Sequence, residues 1–131
     1  MSDSHDLCPC GSNRKLADCC GRYIQGDDNP ATAEELMRSR YSAYVLHNEQ
    51  YLLATWHPTT RPATLSLASS PDKWLGLKIK NTQQGREADS QGQVEFVARY
   101  KVAGRAGRIH ENSKFVRETG RWFYLEGNLL E

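Results

Sequence analysis

Four cysteines lie close together near the start of this chain: Cys8, Cys10, Cys19 and Cys20. Thiolates are soft ligands, and four of them arranged tetrahedrally bind Zn²⁺ with no coordination position left open. A closed site of this kind is structural, because a catalytic zinc ion keeps one position for water or substrate. The cluster therefore predicts one structural zinc ion held by these four thiolates.

Turn-forming residues accompany the cysteines. Pro9, Gly11 and Ser12 favour a tight turn that brings the first two cysteines onto one ion. The alternatives to a metal site are two disulfides or four independent thiols. The spacings Cys-x-Cys and Cys-Cys also depart from the Cys-x-x-Cys that is commoner in zinc sites. Disulfides fit a reducing compartment poorly, and a bond between two adjacent cysteines would be strained. Zinc is therefore the favoured interpretation, with His5 as a weaker substitute ligand.

Helical periodicity follows the cysteine segment. Thr32 and Glu35 form a capping box, which predicts a helix that runs to about His47. Its apolar residues recur at spacings of four and eight, as on one face of a helix. Asn48 then predicts the cap of a second, shorter helix, which ends before Pro58.

Strand periodicity occupies the second half of the chain. Alternating apolar and polar residues predict four strands: 77–80, 94–102, 108–118 and 122–125. Gly104 with Gly107 predicts one turn and Thr119 with Gly120 another, while residues 70–75 begin with Ser-Pro and predict a short helical turn. Helices followed by consecutive strands and tight turns indicate an α+β fold with an antiparallel sheet.

The composition is that of an ordinary soluble protein. The chain has 131 residues, 38% hydrophobic and 25% charged, with a formal net charge of +1, which fits one compact domain with a small appendage. Its first seven residues are polar and acidic, unlike a signal peptide, and no run approaches the ~20 apolar residues of a membrane helix. We therefore expect a cytoplasmic protein that does not enter the membrane.

Basic residues are concentrated in the predicted strands. Residues 99–121 contain seven bases against only two acids, Glu111 and Glu118; the bases are Arg99, Lys101, Arg105, Arg108, Lys114, Arg117 and Arg121. Bases are common on exposed strands, so a solvated sheet face is the favoured interpretation. A surface for RNA or for an acidic partner is the alternative.

Two parts of the chain resemble known families. Cys8-Pro9-Cys10-Gly11-Ser12, followed by Cys19-Cys20-Gly21, resembles the SEC-C motif, a zinc-binding element at the C-terminus of SecA and in several small bacterial proteins. The remainder resembles the YchJ family of uncharacterised bacterial proteins through three segments: LMRSRYSAY at 36–44, TWHP at 55–58 and IHENSKF at 109–115. This resemblance implies a nuclear-transport-factor-2-like fold, in which a curved antiparallel sheet wraps around N-terminal helices to form a cone with a pocket. The expected organisation is a zinc knob at 1–24, a linker at 25–30 and the α+β domain at 31–131.

If the domain is such a cone, a few polar and aromatic residues are candidates for its pocket: Arg40, Tyr44, Trp56, His57, Trp74, His110, Glu111 and Ser113. They form no nucleophile elbow, no phosphate-binding loop and no His-Glu-x-x-His motif. The tryptophans are typical of a core or a pocket wall, and a histidine near a helix end, such as His57, is more often structural than catalytic. We therefore assign no catalytic residue.

Arg40 and Glu111 are expected to meet inside the domain. Arg40 falls midway between Leu36 and Tyr44 in an apolar row of the helix, while Glu111 and Ser113 share one face of the third strand. A lone buried charge is costly, so the pattern predicts a partly buried Arg40–Glu111 ion pair with Ser113 or a tyrosine hydroxyl as a further partner.

Two classes of function follow. The likeness to the tail of SecA implies a non-catalytic interaction module, whose zinc knob binds another protein, such as a component of the translation or export machinery. The alternative is an enzyme or small-molecule-binding domain that uses a polar pocket inside the cone. The interaction module is favoured because a closed metal site and the lack of a catalytic motif leave a reaction unsupported.

Overall fold

The computed structural model describes residues 7–26, 28–65 and 73–130. Within these ranges the chain forms a 3-10 turn, three helices and four strands: the turn Leu16–Asp18, α1 Cys20–Ile24, α2 Ala33–Val45, α3 Glu49–Ala54, β1 Lys73–Gln84, β2 Gln91–Val102, β3 Arg105–Glu118 and β4 Arg121–Leu129. None of these helices has both the length and the apolar character needed to cross a bilayer. The expected α+β class is confirmed.

Side-chain caps start helices α2 and α3, as the sequence predicts. The Thr32 hydroxyl accepts the backbone N–H of Glu35 at 3.1 Å, and the Glu35 carboxylate accepts the N–H of Ala31 at 2.9 Å. Asn48 Oδ1 accepts the N–H of Tyr51 at 3.0 Å. Each bond satisfies a backbone donor that a helix start leaves free, which fixes where the two helices begin.

The four strands form one antiparallel sheet in the order β1-β2-β3-β4. The pairing shifts register within β1–β2 and again within β3–β4, and such bulges bend and twist a sheet. Helix α2 packs on the inner face, where its side chains and those of the strands form the main core: Ala33, Leu36, Met37, Tyr41, Val94, Phe96, Ala98, Phe115 and Trp122. The expected curved sheet packed on N-terminal helices is confirmed.

The segment after α3 pairs with β4. Trp56 forms a parallel bridge with Tyr124, the N–H of His57 donates to the Tyr124 carbonyl at 2.7 Å, and the N–H of Tyr124 donates to the Thr55 carbonyl at 2.8 Å. These bonds use the side of β4 that faces away from β3. The segment therefore holds the end of α3 against the sheet.

Two local predictions are wrong. Residues 73–75 belong to β1 instead of a helical turn, because Trp74 pairs with Tyr100 of β2 and packs edge-on against Tyr41, with ring centres 6.0 Å apart; Ser70 and Pro71 lie outside the described residues. Gly107 is a strand residue that pairs with Tyr100 of β2, and the Tyr100 ring fills the space where a side chain at 107 would lie. The β2–β3 turn is instead Ala103-Gly104, whose φ angles are 51° and 81°.

Candidate metal centre and internal cavity

The four cysteine thiols meet in one cluster. Their Sγ atoms all lie within 4.8 Å of one another, all four side chains are buried, and none forms a disulfide. The Sγ atoms of Cys10 and Cys19 are 3.7 Å apart. A tetrahedral site with metal–sulfur bonds of ~2.3 Å has sulfur–sulfur edges of ~3.8 Å, so the spacing fits one tetrahedrally bound metal ion. His5, the substitute ligand, lies outside the described residues.

Short local elements bring the two cysteine pairs together. The N–H of Cys8 donates to the Arg14 carbonyl at 2.8 Å, which closes a loop, and Gly11 turns this loop with φ at 87°. The second pair follows the 3-10 turn and begins α1. A side chain at Gly21 would meet the Leu16 carbonyl at 2.6 Å, so α1 packs directly on the turn before it. The sequence folds into this knob through turns because it is too short for a core of its own.

Hydrogen bonds among the thiols set their protonation. Bonds with Cys10 and then Cys20 lower the pKa of the Cys8 thiol to about 3. Bonds with Cys10 and then Cys8 raise the pKa of the Cys20 thiol far above its usual value. Four thiolates this close repel one another, so they ionise together only around a cation. The cluster therefore favours a bound metal ion.

Helix α2 contacts the metal-binding loop directly. Ser42 Oγ lies 3.4 Å from the Sγ of Cys8, and Arg38 Nη1 donates to the Cys10 carbonyl at 2.9 Å. From β1, Leu77 packs against the buried thiols. Neither Arg38 nor Ser42 is among the sequence-based candidates, although their spacing of four residues places both on one side of α2. The knob is therefore joined to the main domain by specific polar contacts.

A cavity of about 250 Å³ lies between α2 and the sheet. Of the eight candidates for a pocket, six line it: Arg40, Tyr44, Trp56, Trp74, Glu111 and Ser113. The two histidines do not. His57 Nε2 lies 2.9 Å from a Glu118 carboxylate oxygen, and His110 Nε2 lies 2.6 Å from one of Glu95. Position 110 alternates with the inward-facing 109 and 111, so its side chain leaves the sheet on the other face.

The predicted Arg40–Glu111 ion pair is wrong, although both side chains line the cavity as expected. Arg40 is 3% exposed, and its Nη1 donates to the Leu52 carbonyl at 2.8 Å and to the Thr55 hydroxyl at 2.7 Å. The Ser113 hydroxyl donates to Glu111 Oε2 at 2.6 Å. Helix α3 ends beside Arg40 and offers it oxygen acceptors. Each charge is therefore bound by neutral groups instead of by the other.

Two aromatic rings flank the buried guanidinium. Its Cζ lies 4.6 Å from the ring centre of Tyr124 and 5.0 Å from that of Trp56, where cation–π attraction stabilises it. Burial and then the negative charge of Glu111 raise the pKa of Tyr124 well above its usual value. Tyr124 is not among the sequence-based candidates. Its position two residues after the buried Trp122 on one strand is the signal that identifies it.

Two parts of this chain match models of known protein families. Residues 6–22 match the SEC-C motif, and residues 32–127 match the family described as YchJ, middle NTF2-like domain. A UPF0225 protein of Chromobacterium violaceum is 58% identical over 123 residues, covering 92% of this chain and 90% of that protein. A UPF0225 protein of Bordetella pertussis is 52% identical over 128 residues, covering 93% of this chain and 92% of that protein.

Two solved structures share the fold. The solution structure of RPA3114, a SEC-C motif containing protein from Rhodopseudomonas palustris, matches with a TM-score of 0.83 and 32% identity, covering 95% of this chain and 98% of that one. The crystal structure of a SEC-C motif containing protein from Psychrobacter arcticus matches with a TM-score of 0.78 and 27% identity, covering all of this chain and 86% of that one. The fold of this chain therefore recurs in both structures, and each is described as containing a SEC-C motif.

Proposed function

We propose that this chain, which belongs to the UPF0225 family and combines a SEC-C motif with a YchJ-type NTF2-like domain, is a cytoplasmic zinc-binding interaction module. The metal assignment rests on one observation: four buried thiols lie within 4.8 Å of one another. Four thiolates in a tetrahedron are the donor set of structural zinc sites. Such a site leaves no position for a substrate, so the ion holds the knob together and takes no part in a reaction.

The proposed partner is another protein, in the translation or export machinery, as the SEC-C likeness to SecA implies. Polar contacts join the knob to α2, so a partner would meet the two as one surface. A groove of about 370 Å³ lies at their junction. Its lining includes charged side chains from the knob, Arg14 and Arg22, and from α2, Glu34, Glu35 and Arg38. Charges of both signs in a groove favour a partner that is selected by complementary polar contacts.

Elemental analysis of protein purified without added metal tests the zinc site. We expect about one zinc per chain. The double variant Cys19→Ser, Cys20→Ser should contain none, whereas Gln83→Ser, an exposed substitution on β1, should match the wild type. Iron in place of zinc, or a wild-type protein without metal, would show that the assignment is wrong.

Cross-linking tests the interaction surface. Arg14 is exposed and is not a metal ligand, so Arg14→Glu changes the groove without removing the ion. We expect the wild type and Gln83→Ser to capture the same ribosomal or export protein, and Arg14→Glu and the double serine variant to lose it. Equal capture by all four proteins would place the interaction elsewhere on the molecule.

A further inference from the structure

The internal cavity presents two opposite charges that do not meet. Its lining contains a single basic residue, Arg40, and a single acidic residue, Glu111. Opposite charges attract strongly where water is excluded, yet these two make no ion pair in the described part of the chain. Each is fixed in its own place by neighbouring groups, so the cavity lining carries one positive and one negative group, which we call its positive and its negative end.

Arg40 has unused donors at the positive end. A guanidinium carries five N–H groups, and the two on Nη1 are bound by Leu52 and Thr55. Its Nε and Nη2 donate to no described residue. Trp56, which also lines the cavity, has a buried indole N–H without an acceptor among the described residues. A buried donor without an acceptor, such as this indole N–H, is costly, and a guanidinium binds carboxylates through paired N–H groups.

The Glu111 carboxylate, at the negative end, lies in a space that its neighbours leave open for it. The carboxylate lies over Gly127, where any side chain would overlap it, so β4 leaves this space for it. The Ser113 hydroxyl bonds to one oxygen, and the Tyr124 phenol lies alongside. A carboxylate has about four acceptor positions, so it can still accept hydrogen bonds from a ligand ammonium group.

Aromatic rings form part of the cavity wall. Trp74 lies with its ring centre 6.0 Å from those of Tyr41 and Tyr44. The cavity is about 250 Å³, below the ~300–1,000 Å³ that is typical of pockets for drug-sized ligands. A complementary molecule is therefore small, with an apolar body, a carboxylate and an ammonium group.

We propose that this cavity binds an apolar or aromatic α-amino acid, with its carboxylate at Arg40 and its ammonium group at Glu111. The side chain of the ligand lies against Tyr41, Tyr44 and Trp74. In the complex, the ligand supplies the opposite charge to each of the two protein groups. This site is separate from the metal centre and goes beyond the proposed interaction role.

Matched ligand series test the proposal on the full-length wild-type protein. One series is L-phenylalanine, 3-phenylpropionate and 2-phenylethylamine; the other is L-leucine, 4-methylpentanoate and 3-methylbutylamine. Calorimetry and thermal unfolding should show binding of at least one amino acid, and the matching acid and amine should each bind at least about tenfold more weakly. No binding by either amino acid, or equal binding of an amino acid and its matching acid, would overturn the proposal.

A variant series tests the negative end. Glu111→Gln keeps the shape but removes the charge, so it should bind the amino acid at least about tenfold more weakly while the affinity for the matching acid is kept or raised. His110→Gln, on the opposite face of the same strand, should bind like the wild type. Unchanged affinity in Glu111→Gln would overturn the proposal. Zinc content is measured on the same samples, so failure here is distinguishable from failure of the metal assignment.

Discussion

Arg38 of helix α2 donates a hydrogen bond from Nη1 to the backbone carbonyl of Cys10, across 2.9 Å. The same guanidinium pairs through Nε with Glu34 at 3.0 Å, one turn earlier on the helix. The carbonyl belongs to a residue whose thiol lies in the metal cluster. Metal binding and the packing of α2 are therefore physically linked.

Arg38→Met should destabilise the protein by about 1.5 kcal/mol, because it removes a charged hydrogen bond to a carbonyl while keeping a side chain of similar length. Urea unfolding measures the loss. Arg86→Met is the matched control: this arginine is 81% exposed and pairs only locally, with Asp89, so its removal should change stability little. Equal effects of the two substitutions would mean that the Cys10 contact contributes nothing.

Ser42→Ala should weaken metal binding about tenfold, because groups that hydrogen-bond to metal ligands orient them and tune their basicity. Ser42 Oγ lies 3.4 Å from the Cys8 sulfur. Competition with a chromophoric chelator measures the affinity. Ser39→Ala is the control, since Ser39 is equally buried on α2 but bonds to Leu36 and Tyr51. A tenfold loss in both variants would indicate a general effect on the helix.

Metal removal should unfold the knob and leave the main domain folded. The knob has no core apart from its thiols and their few apolar neighbours, whereas the domain has a core of its own between α2 and the sheet. After chelation, amide hydrogen exchange should become fast in residues 8–23 and stay slow in β2 and β3. Fast exchange throughout the chain would show that the metal is needed for the whole fold.

Stability should fall at high pH through Tyr51. Burial raises the pKa of its phenol from 10.0 to about 12. The folded state therefore favours the neutral phenol, and this contribution is fully present below pH 10 and is lost as the pH rises towards 12. Urea unfolding at pH 9, 10 and 11.5 should show a shallower decline for Tyr51→Phe than for the wild type. Parallel declines would assign the effect to other groups.

Arg108→Glu should stabilise the sheet by roughly 0.2–1 kcal/mol at low salt. Arg108 lies directly opposite Arg99 on β2, and like charges in this position repel, whereas a carboxylate would attract. Salt should reduce the gain, because both positions are exposed.

We also expect the basic residues between positions 99 and 121 to form a solvated face of the sheet. Fluorescence anisotropy with single-stranded RNA should therefore detect no binding at physiological salt. Salt-sensitive RNA binding that Arg108→Glu removes would contradict this expectation.

Local rules predict helix starts and side-chain faces well in this chain. Thr32, Glu35 and Asn48 act within one helical turn, so their sequence positions are enough to locate the caps. Arg40 is expected in the interior because apolar residues lie one turn before and after it, and it is buried. Glu111 and Ser113 face the same interior because strand side chains alternate.

Contacts between distant segments could not be predicted in this way. The partner of Arg40 depends on where α3 ends in space, because the Leu52 oxygen that it binds lies in α3 and the Thr55 oxygen directly after it. Trp74 follows a Ser-Pro sequence that locally favours a helical turn, but pairing with β2 overrides that preference. The contact of Arg38 with Cys10 joins residues 28 positions apart and leaves no periodic signal in the sequence.

The short segment that pairs with β4 also limits how the protein can associate. An open sheet has two outer strands whose free backbone groups can recruit strands from other molecules and start aggregation. Around Tyr124 those groups are already taken by Thr55 and His57. On the opposite side, β1 carries Lys78 and Lys80, whose charges oppose the approach of a second copy. The chain therefore has built-in protection against edge-to-edge polymerisation, and partners are left to bind through side chains.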